Sequence, residues 1–303
     1  MLDRNANETM TMFKLITRLS AAAAFVIAGL GMTTVSARAA EGFPIKKPEE
    51  VEWSFAGPFG TYDQQQLQRG FQIYREVCAA CHSLDLVPFR ALGWEGGPNF
   101  SEEAVKQLAS EYMITDGPDE FGDMFERAGQ PYDYFPSPFP NDKAAAFANN
   151  GVAPPDLSVM AKARGVTRGF PTFVFDLFTA YQENGPDYVH ALLTGYEDPP
   201  EDMEVRPGQY YNPYYLYAAT LAMPPPLFDD MITYAQNEDD NPDNDVPQTV
   251  DQYSRDVSAF LMWAAEPHME TRKSMGFSVL AFLIILTGLT YYTKRKVWAN
   301  VEH

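Results

Sequence analysis

The sequence predicts a mainly α-helical domain with long proline-braced loops, followed by one C-terminal transmembrane helix. Three observations carry this. Leu67, Phe71, Tyr74 and Val77 recur at helical spacing immediately ahead of Cys78. Val250, Tyr253, Val257, Phe260, Leu261 and Ala264 repeat that pattern near the other end of the domain. Residues 275–292 then run without a single charge. About 20 such residues cross the hydrocarbon core of a bilayer as a helix, and no polar face interrupts the run.

Each element has its own signal. Asp63 is placed to cap the helix that leads into Cys78. Thr249-x-x-Gln252 has the form of a capping box and starts a helix over residues 249–265. Residues 102–113 and 186–193 are the better internal helix candidates. Between them, Pro136, Pro138 and Pro140, then Pro154 and Pro155, then Pro224-Pro225-Pro226 break the chain into loops. Few segments alternate in the manner of strands. The aromatic, proline-rich stretch 117–142 has no clear assignment.

Cys78-Ala79-Ala80-Cys81-His82 is the motif with the most chemical content. C-x-x-C-H is the attachment signature of a c-type haem, in which two thiols join the porphyrin and the adjoining His supplies an axial nitrogen. The chain has only these two cysteines, so the signature provides for one haem. A structural zinc site needs four ligands, and only His190, His268 and His303 are left to complete one. A thioredoxin-type pair belongs after a strand, whereas Cys78 follows a helical pattern. A plain disulfide leaves His82 unexplained. Crossing the helix ahead of Cys78 with the one over 249–265 gives the first-and-last helix arrangement of a cytochrome c fold.

The ends of the chain place this motif in a compartment. Lys14 and Arg18 precede an apolar stretch over 21–30, and Ala37-Arg38-Ala39 offers a small-x-small cleavage site, the form of a secretory signal cut after Ala39. Export agrees with the motif, since bacteria attach such haems outside the cytoplasm. Lys294, Arg295 and Lys296 follow the apolar run, with Tyr291, Tyr292 and Trp298 at interface depth. The expected organisation is a signal peptide over 1–39, a periplasmic haem domain over 40–270, a transmembrane helix over 271–293 and a cytoplasmic tail over 294–303. This places a single-pass protein in a bacterial inner membrane.

Without the signal segment the chain holds 18 basic against 39 acidic residues, a net charge of −21. That balance argues against nucleic acid or anionic lipid surfaces as partners and is compatible with a basic soluble one. Residues 229–251 carry eight acidic side chains and no basic one. Such a run is either a solvated loop or a patch that speeds encounter with a basic protein. Glu197, Asp198, Glu201 and Asp202 form a second acidic cluster.

A sixth iron ligand has several candidates. Met223 lies just ahead of three prolines that stiffen its backbone, a support that a weak thioether ligand needs. A methionine in an apolar stretch is more often core packing than a ligand, and a bis-His arrangement through His190 or His268 stays open. His/Met ligation raises the potential and suits electron transfer.

Several strings, in this order, carry a resemblance. They are Val77-Cys78-Ala79-Ala80-Cys81-His82-Ser83, Ala148-Asn149-Asn150-Gly151, Pro154-Pro155-Asp156-Leu157-Ser158, Leu192-Leu193-Thr194-Gly195-Tyr196, Tyr211-Asn212-Pro213-Tyr214, Ala222-Met223-Pro224-Pro225 and Trp263-Ala264-Ala265-Glu266-Pro267. Together with one C-terminal span they resemble the cytochrome c1 family, haem subunits of quinol–cytochrome c reductase (cytochrome bc1) complexes. The resemblance implies an elaborated cytochrome c fold. It implies that Cys78 and Cys81 bind the haem covalently, that His82 and Met223 ligate its iron, and that Arg164 pairs with a propionate. Asn149 and Tyr188 match positions near the haem.

The resemblance further implies an electron-transfer subunit that is not an enzyme by itself. Such a subunit takes electrons from a Rieske iron–sulfur protein and passes them to a soluble or tethered cytochrome c, beside cytochrome b and within a dimeric complex. Two other readings compete. One is a membrane-bound cytochrome c feeding a terminal oxidase. The other is a haem sensor or enzyme with an open iron position. With no further cysteines, the chain lacks the extra disulfide that some bacterial relatives place near the haem.

Overall fold

A computed structural model describes residues 43–166, 169–172, 174–175, 184–238 and 245–300. The stretch read as a signal peptide, with its cut after Ala39, and residues 301–303 lie outside the described residues.

Helix α1 (Gln64–Glu76) begins where Asp63 accepts hydrogen bonds from the amides of Gln65 and Gln66. It buries Leu67, Phe71, Ile73 and Tyr74 along one stripe and ends at Val77, next to the Cys78–Ala80 3-10 turn. Helix α2 (Glu102–Ser110) follows, capped by the Ser101 hydroxyl. It stops three residues short of the sequence expectation. Met113 instead opens strand β1 (Met113–Asp116), which pairs antiparallel with β2 (Phe125–Ala128). The turn of this hairpin and β2 fall in the unassigned stretch 117–142, while β1 lies just ahead of it. Arg127 stitches it together, reaching both Asp116 and Asp133.

Helices α3 (Asp142–Ala148) and α4 (Met160–Ala163) are short and flank the double-proline loop. Helix α5 (Asn184–Thr194) extends a little beyond the expected 186–193. A two-residue ribbon of β3 (Tyr210–Tyr211) and β4 (Thr220–Leu221) comes next. Helix α6 (Val250–Ala265) starts at Thr249, whose hydroxyl accepts from the Gln252 amide. Only half of the expected capping box forms. The Gln252 side chain turns to the Asp256 carboxylate at 2.9 Å rather than back to Thr249. Helix α7 (Met269–Val297) is 29 residues long, and its apolar window is wholly exposed, as suits a membrane anchor.

The core forms where α1 crosses α6, the expected meeting of first and last helices. Phe71 and Tyr74 of α1 pack on Phe260 of α6 with ring centroids 5.7 and 5.9 Å apart, and Phe135 and Phe89 complete the aromatic cluster. The crossing closes at Gly70. A Cβ there would stand 2.1 Å from the Asp256 carbonyl oxygen and 2.6 Å from the Phe260 Cβ, so only glycine permits the approach. The fully buried Asp256 carboxylate accepts from Arg69 at 2.8 and 3.1 Å and from the Tyr234 hydroxyl at 2.9 Å.

Gly70→Ala is therefore expected to lower stability toward the upper end of overpacking costs, about 3 kcal/mol. Gly276→Ala, half-buried on α7 with nothing within 4 Å of the added carbon, serves as the clash-free substitution and is expected to cause no loss of stability. Chemical unfolding of both full-length variants followed by circular dichroism checks this.

Candidate haem site

Helix α1 delivers the Cys78-x-x-Cys81-His82 motif at its C-terminal end. The amides of Cys81 and His82 both donate to the Cys78 carbonyl, at 3.0 and 2.8 Å, and wind the motif into a tight turn. Both cysteines are free thiols and half-buried. Desolvation among core side chains, helped by the neighbouring Cys81, pushes the Cys78 thiol up to about 12.

His82 is oriented by a loop far along the chain. Its Nδ1 lies 2.8 Å from the Pro155 carbonyl oxygen, so that nitrogen carries the proton and Nε2 keeps its lone pair. A carbonyl holding the second ring nitrogen is the usual support of a metal-ligating histidine. Burial lowers the imidazole pKa and outweighs the Pro155 carbonyl and Asp156 carboxylate, which raise it. The ring is thus neutral, as a ligand must be.

Asp156 fastens the same loop. Its carboxylate accepts from the Ser83 hydroxyl at 2.9 Å and from the amides of Asp85 and Ser158, each at 2.8 Å. The Ser158 hydroxyl in turn accepts from the Leu86 amide, and the Leu157 amide donates to the Ser83 carbonyl. Sequence reasoning did not single out Asp156. The signal was present in Pro-Pro-Asp-Leu-Ser, since an Asp two residues before a Ser commonly folds into a side-chain turn.

Met223 follows β4, half-buried, on a backbone held from two directions. Its carbonyl accepts from the Tyr196 hydroxyl at 3.1 Å, and the Ala222 carbonyl accepts from the Asn150 side chain at 3.3 Å. The ribbon below is anchored by buried Asn212, which donates to the Leu192 carbonyl at 2.8 Å and accepts from the Tyr214 amide. The methionine side chain itself is a donor of no hydrogen bond, while its peptide is fixed. The two thiols, the imidazole Nε2 and this thioether are a donor set that fits a c-type haem.

The other expected site residues divide. Arg164, the C-cap of α4, lies with its guanidinium 4.7 Å from the Tyr217 ring centre. Tyr188 is buried on α5, and burial pushes its phenol up to about 12, against smaller lowering by the Leu216 backbone and Arg164. Arg164 and Tyr188 thus share one neighbourhood, beside residues 216 and 217. Asn149 is used differently. Its amide donates to the Ala145 carbonyl at 2.8 Å and closes the end of α3. The neighbouring Asn150 makes the contact to the Met223 loop, a role that the sequence did not assign.

The alternative histidines have other engagements. His190 Nε2 lies 2.9 Å from Asp251, and the His268 ring stacks on Trp94 at 5.0 Å between centres. Among the described residues, no group of three or more His, Cys, Asp or Glu side chains gathers to hold a metal ion.

The acidic run has a built frame. The Asn237 side chain donates to the Val246 carbonyl and accepts from its amide, at 2.8 and 2.9 Å. Asp229 accepts from the Val250 amide, and Asp251 pairs with Arg255 and His190, so these two carboxylates act locally. Asp230 and Asp245 are exposed. Asp239, Asp240 and Asp243, with the side chain of Glu238, lie outside the described residues. In the second cluster Glu197 binds Lys46, while Asp198, Glu201 and Asp202 face solvent.

Comparison with known proteins gives one answer. A model of the cytochrome C1 family matches residues 53–301. The "Cytochrome b/c1" of Bradyrhizobium diazoefficiens is 54% identical over 285 residues, covering 93% of this chain; the chain spans only 40% of that protein's length. The "Cytochrome c1" of Blastochloris viridis is 46% identical over 279 residues, 91% of this chain and 94% of that protein. "Cytochrome c1, heme protein, mitochondrial" of Saccharomyces cerevisiae is 40% identical over 251 residues, 82% and 72% of the two chains. By the extent of the family match and by identity to relatives of similar length, the chain belongs to the cytochrome c1 family.

Proposed function

We propose that this protein is the haem-bearing electron-transfer subunit of a cytochrome bc1 complex, anchored in the membrane by α7 and carrying its haem domain on the periplasmic side. Its cofactor is one c-type haem, which when bound supplies an iron that cycles between two oxidation states and so carries one electron at a time. The observation that carries this reading is the imidazole of His82, oriented by the Pro155 carbonyl and wound onto one tight turn with Cys78 and Cys81. Family membership and the apolar C-terminal helix support it independently.

In this reading Cys78 and Cys81 would hold the haem covalently and His82 would ligate its iron through Nε2. Met223 provides the other ligand from a loop stiffened by Pro224, Pro225 and Pro226. A thioether needs that stiffness, because it is too weak a ligand to order a mobile segment by itself. Arg164 balances the charge of a propionate. Tyr188 supports Arg164 from the α5 side, and Asn149 acts one step removed, by ending α3 so that Asn150 can hold the Met223 peptide. If His82 and Met223 both hold the iron, no position on it is left for a substrate, which favours the relay over a ligand sensor or enzyme. The donor is then a Rieske iron–sulfur protein and the acceptor a basic cytochrome c, with cytochrome b beside α7 in a dimeric complex.

Gentle solubilisation tests the assignment. The haem of this chain is expected to purify together with b-type haem and an iron–sulfur cluster. Purification with a terminal oxidase instead would refute it in favour of the oxidase-donor reading.

Two further outcomes are expected. Met223→Leu opens the iron to carbon monoxide and lowers the midpoint potential on the order of 0.1 V, within the roughly 0.8 V range that axial ligands command; redox titration and optical spectra of the full chain check it. Reduction of a basic cytochrome c slows as salt rises, because exposed acidic groups such as Asp198, Glu201, Asp202 and Asp230 act through solvent. Stopped-flow rates across a salt series measure this, and a flat dependence would remove the electrostatic role of both clusters.

A further inference from the structure

Residues 53–62, Trp-Ser-Phe-Ala-Gly-Pro-Phe-Gly-Thr-Tyr, carry no charged side chain. The loop they form is tied to the top of α7 along one stripe at positions i, i+3 and i+7. The Glu270 carboxylate accepts from the Tyr62 amide at 2.8 Å. One turn on, the Lys273 amine donates to the carbonyls of Phe55 and Gly60 at 2.7 and 3.1 Å. One turn further, Phe277 stacks on Phe59 with ring centres 5.1 Å apart and planes 5° from parallel. The loop is tightly wound, since a Cβ on Gly60 would stand 2.1 Å from the Ala56 carbonyl oxygen. Phe59 nevertheless leaves 80% of its surface open.

The depth of this contact follows from the helix. A span of about 20 residues at 1.5 Å each fills the hydrocarbon core. Counted back from Lys294, the first charge after the apolar run, such a span reaches Ser274. Phe277 then lies inside the upper rim of the hydrocarbon, and Phe59, stacked flat against it, lies at the same level. Lys273 sits at the boundary with its ammonium occupied by loop carbonyls.

We propose that the loop over 56–60 is a second membrane contact, with Phe59 inserted among the lipid chains beside α7. The haem domain would then rest on the bilayer at two points, and its tilt would not be left to the helix alone. Exposed aromatic side chains on an uncharged surface at this depth are what an interfacial element presents to lipid. The inference rests on α7 being the membrane anchor.

The test uses the haem-loaded full chain in vesicles of phosphatidylethanolamine and phosphatidylglycerol. A lipid-soluble diazirine and, separately, hydroxyl radicals from the aqueous phase are applied, and modified residues are read by mass spectrometry. Phe121, on the turn between β1 and β2 and 83% exposed, is the reference in water. Ile284, in the middle of the apolar run and 72% exposed, is the reference in lipid. The expected result is diazirine labelling at Phe59 as at Ile284, with oxidation several-fold below that at Phe121. Oxidation of Phe59 matching Phe121, while Ile284 is labelled, overturns the inference and leaves the anchor standing. Protection of Phe59 from both reagents overturns it in favour of a protein contact. Absence of diazirine label at Ile284 overturns the anchor itself.

Discussion

The contact between Gly70 and the Asp256 backbone is the constraint on which the remaining structure depends. It lets α1 and α6 approach to a separation that any side chain would prevent. The same approach takes Arg69 and Asp256 largely out of water, where the ion pair is completed by Tyr234 and Gln252. A buried pair of this kind adds little net stability, because desolvation offsets the attraction. What it adds is register. Sliding either helix by a residue would leave a buried charge without its partner, an error costing about 3–5 kcal/mol. Register matters at both ends of this crossing. α1 ends at the cysteine motif, and α6 leads through Glu266 into the anchor helix.

A second constraint is carried by one continuous segment rather than by a helix pair. Between residues 149 and 164 the chain touches the Met223 loop through Asn150, holds His82 through the Pro155 carbonyl, fastens the segment after His82 through Asp156, and ends at Arg164. Prolines 154 and 155 reduce the freedom that this segment would lose on folding. The groups proposed to face the two sides of one haem are therefore positioned by a common piece of backbone. No added disulfide is required, since hydrogen bonds to a single carboxylate and two prolines supply the stiffness.

Much of this was legible in the sequence, for identifiable reasons. The helices around 67–77 and 249–265 have strong apolar periodicity and side-chain caps, so local chemistry and tertiary packing agree. The anchor helix is legible for a simpler reason, its unbroken apolar length. The cysteine motif declares itself because its chemistry needs those residues at that spacing. The hairpin over 113–128 was not legible. Its strands are four residues each and exposed or half-buried, their apolar and polar residue types do not alternate, and Arg127 ties Asp116 within the hairpin to Asp133 outside it. Asp156, Asn150 and Asn212 were missed because the contacts that join them to other parts of the site, to Ser83, Ala222 and Leu192, span 20 residues or more, although Asp156 also had its local signal in Ser158. Gly70 was hidden for a related reason. Nothing in a helical pattern announces that a glycine is needed by the helix crossing it.

The joint between α6 and α7 links these two constraints to the membrane. Glu266 ends α6, and its carboxylate receives Lys162 from α4 and Arg272 from α7. Burial raises its pKa, but those two cations outweigh this and hold it below the usual carboxylate range. Two residues on, His268 stacks on Trp94, and Glu270 binds the Tyr62 amide. Each of these ties by itself is worth about 1 kcal/mol or less at a wet surface. They differ, however, in what they join: α4, the 94–97 turn and the 53–62 loop each meet the first turns of α7 or the joint. The helix that anchors the chain is thus braced against the segment that carries Arg164. That is the geometry expected where a haem must hold a fixed height and tilt between a donor and an acceptor.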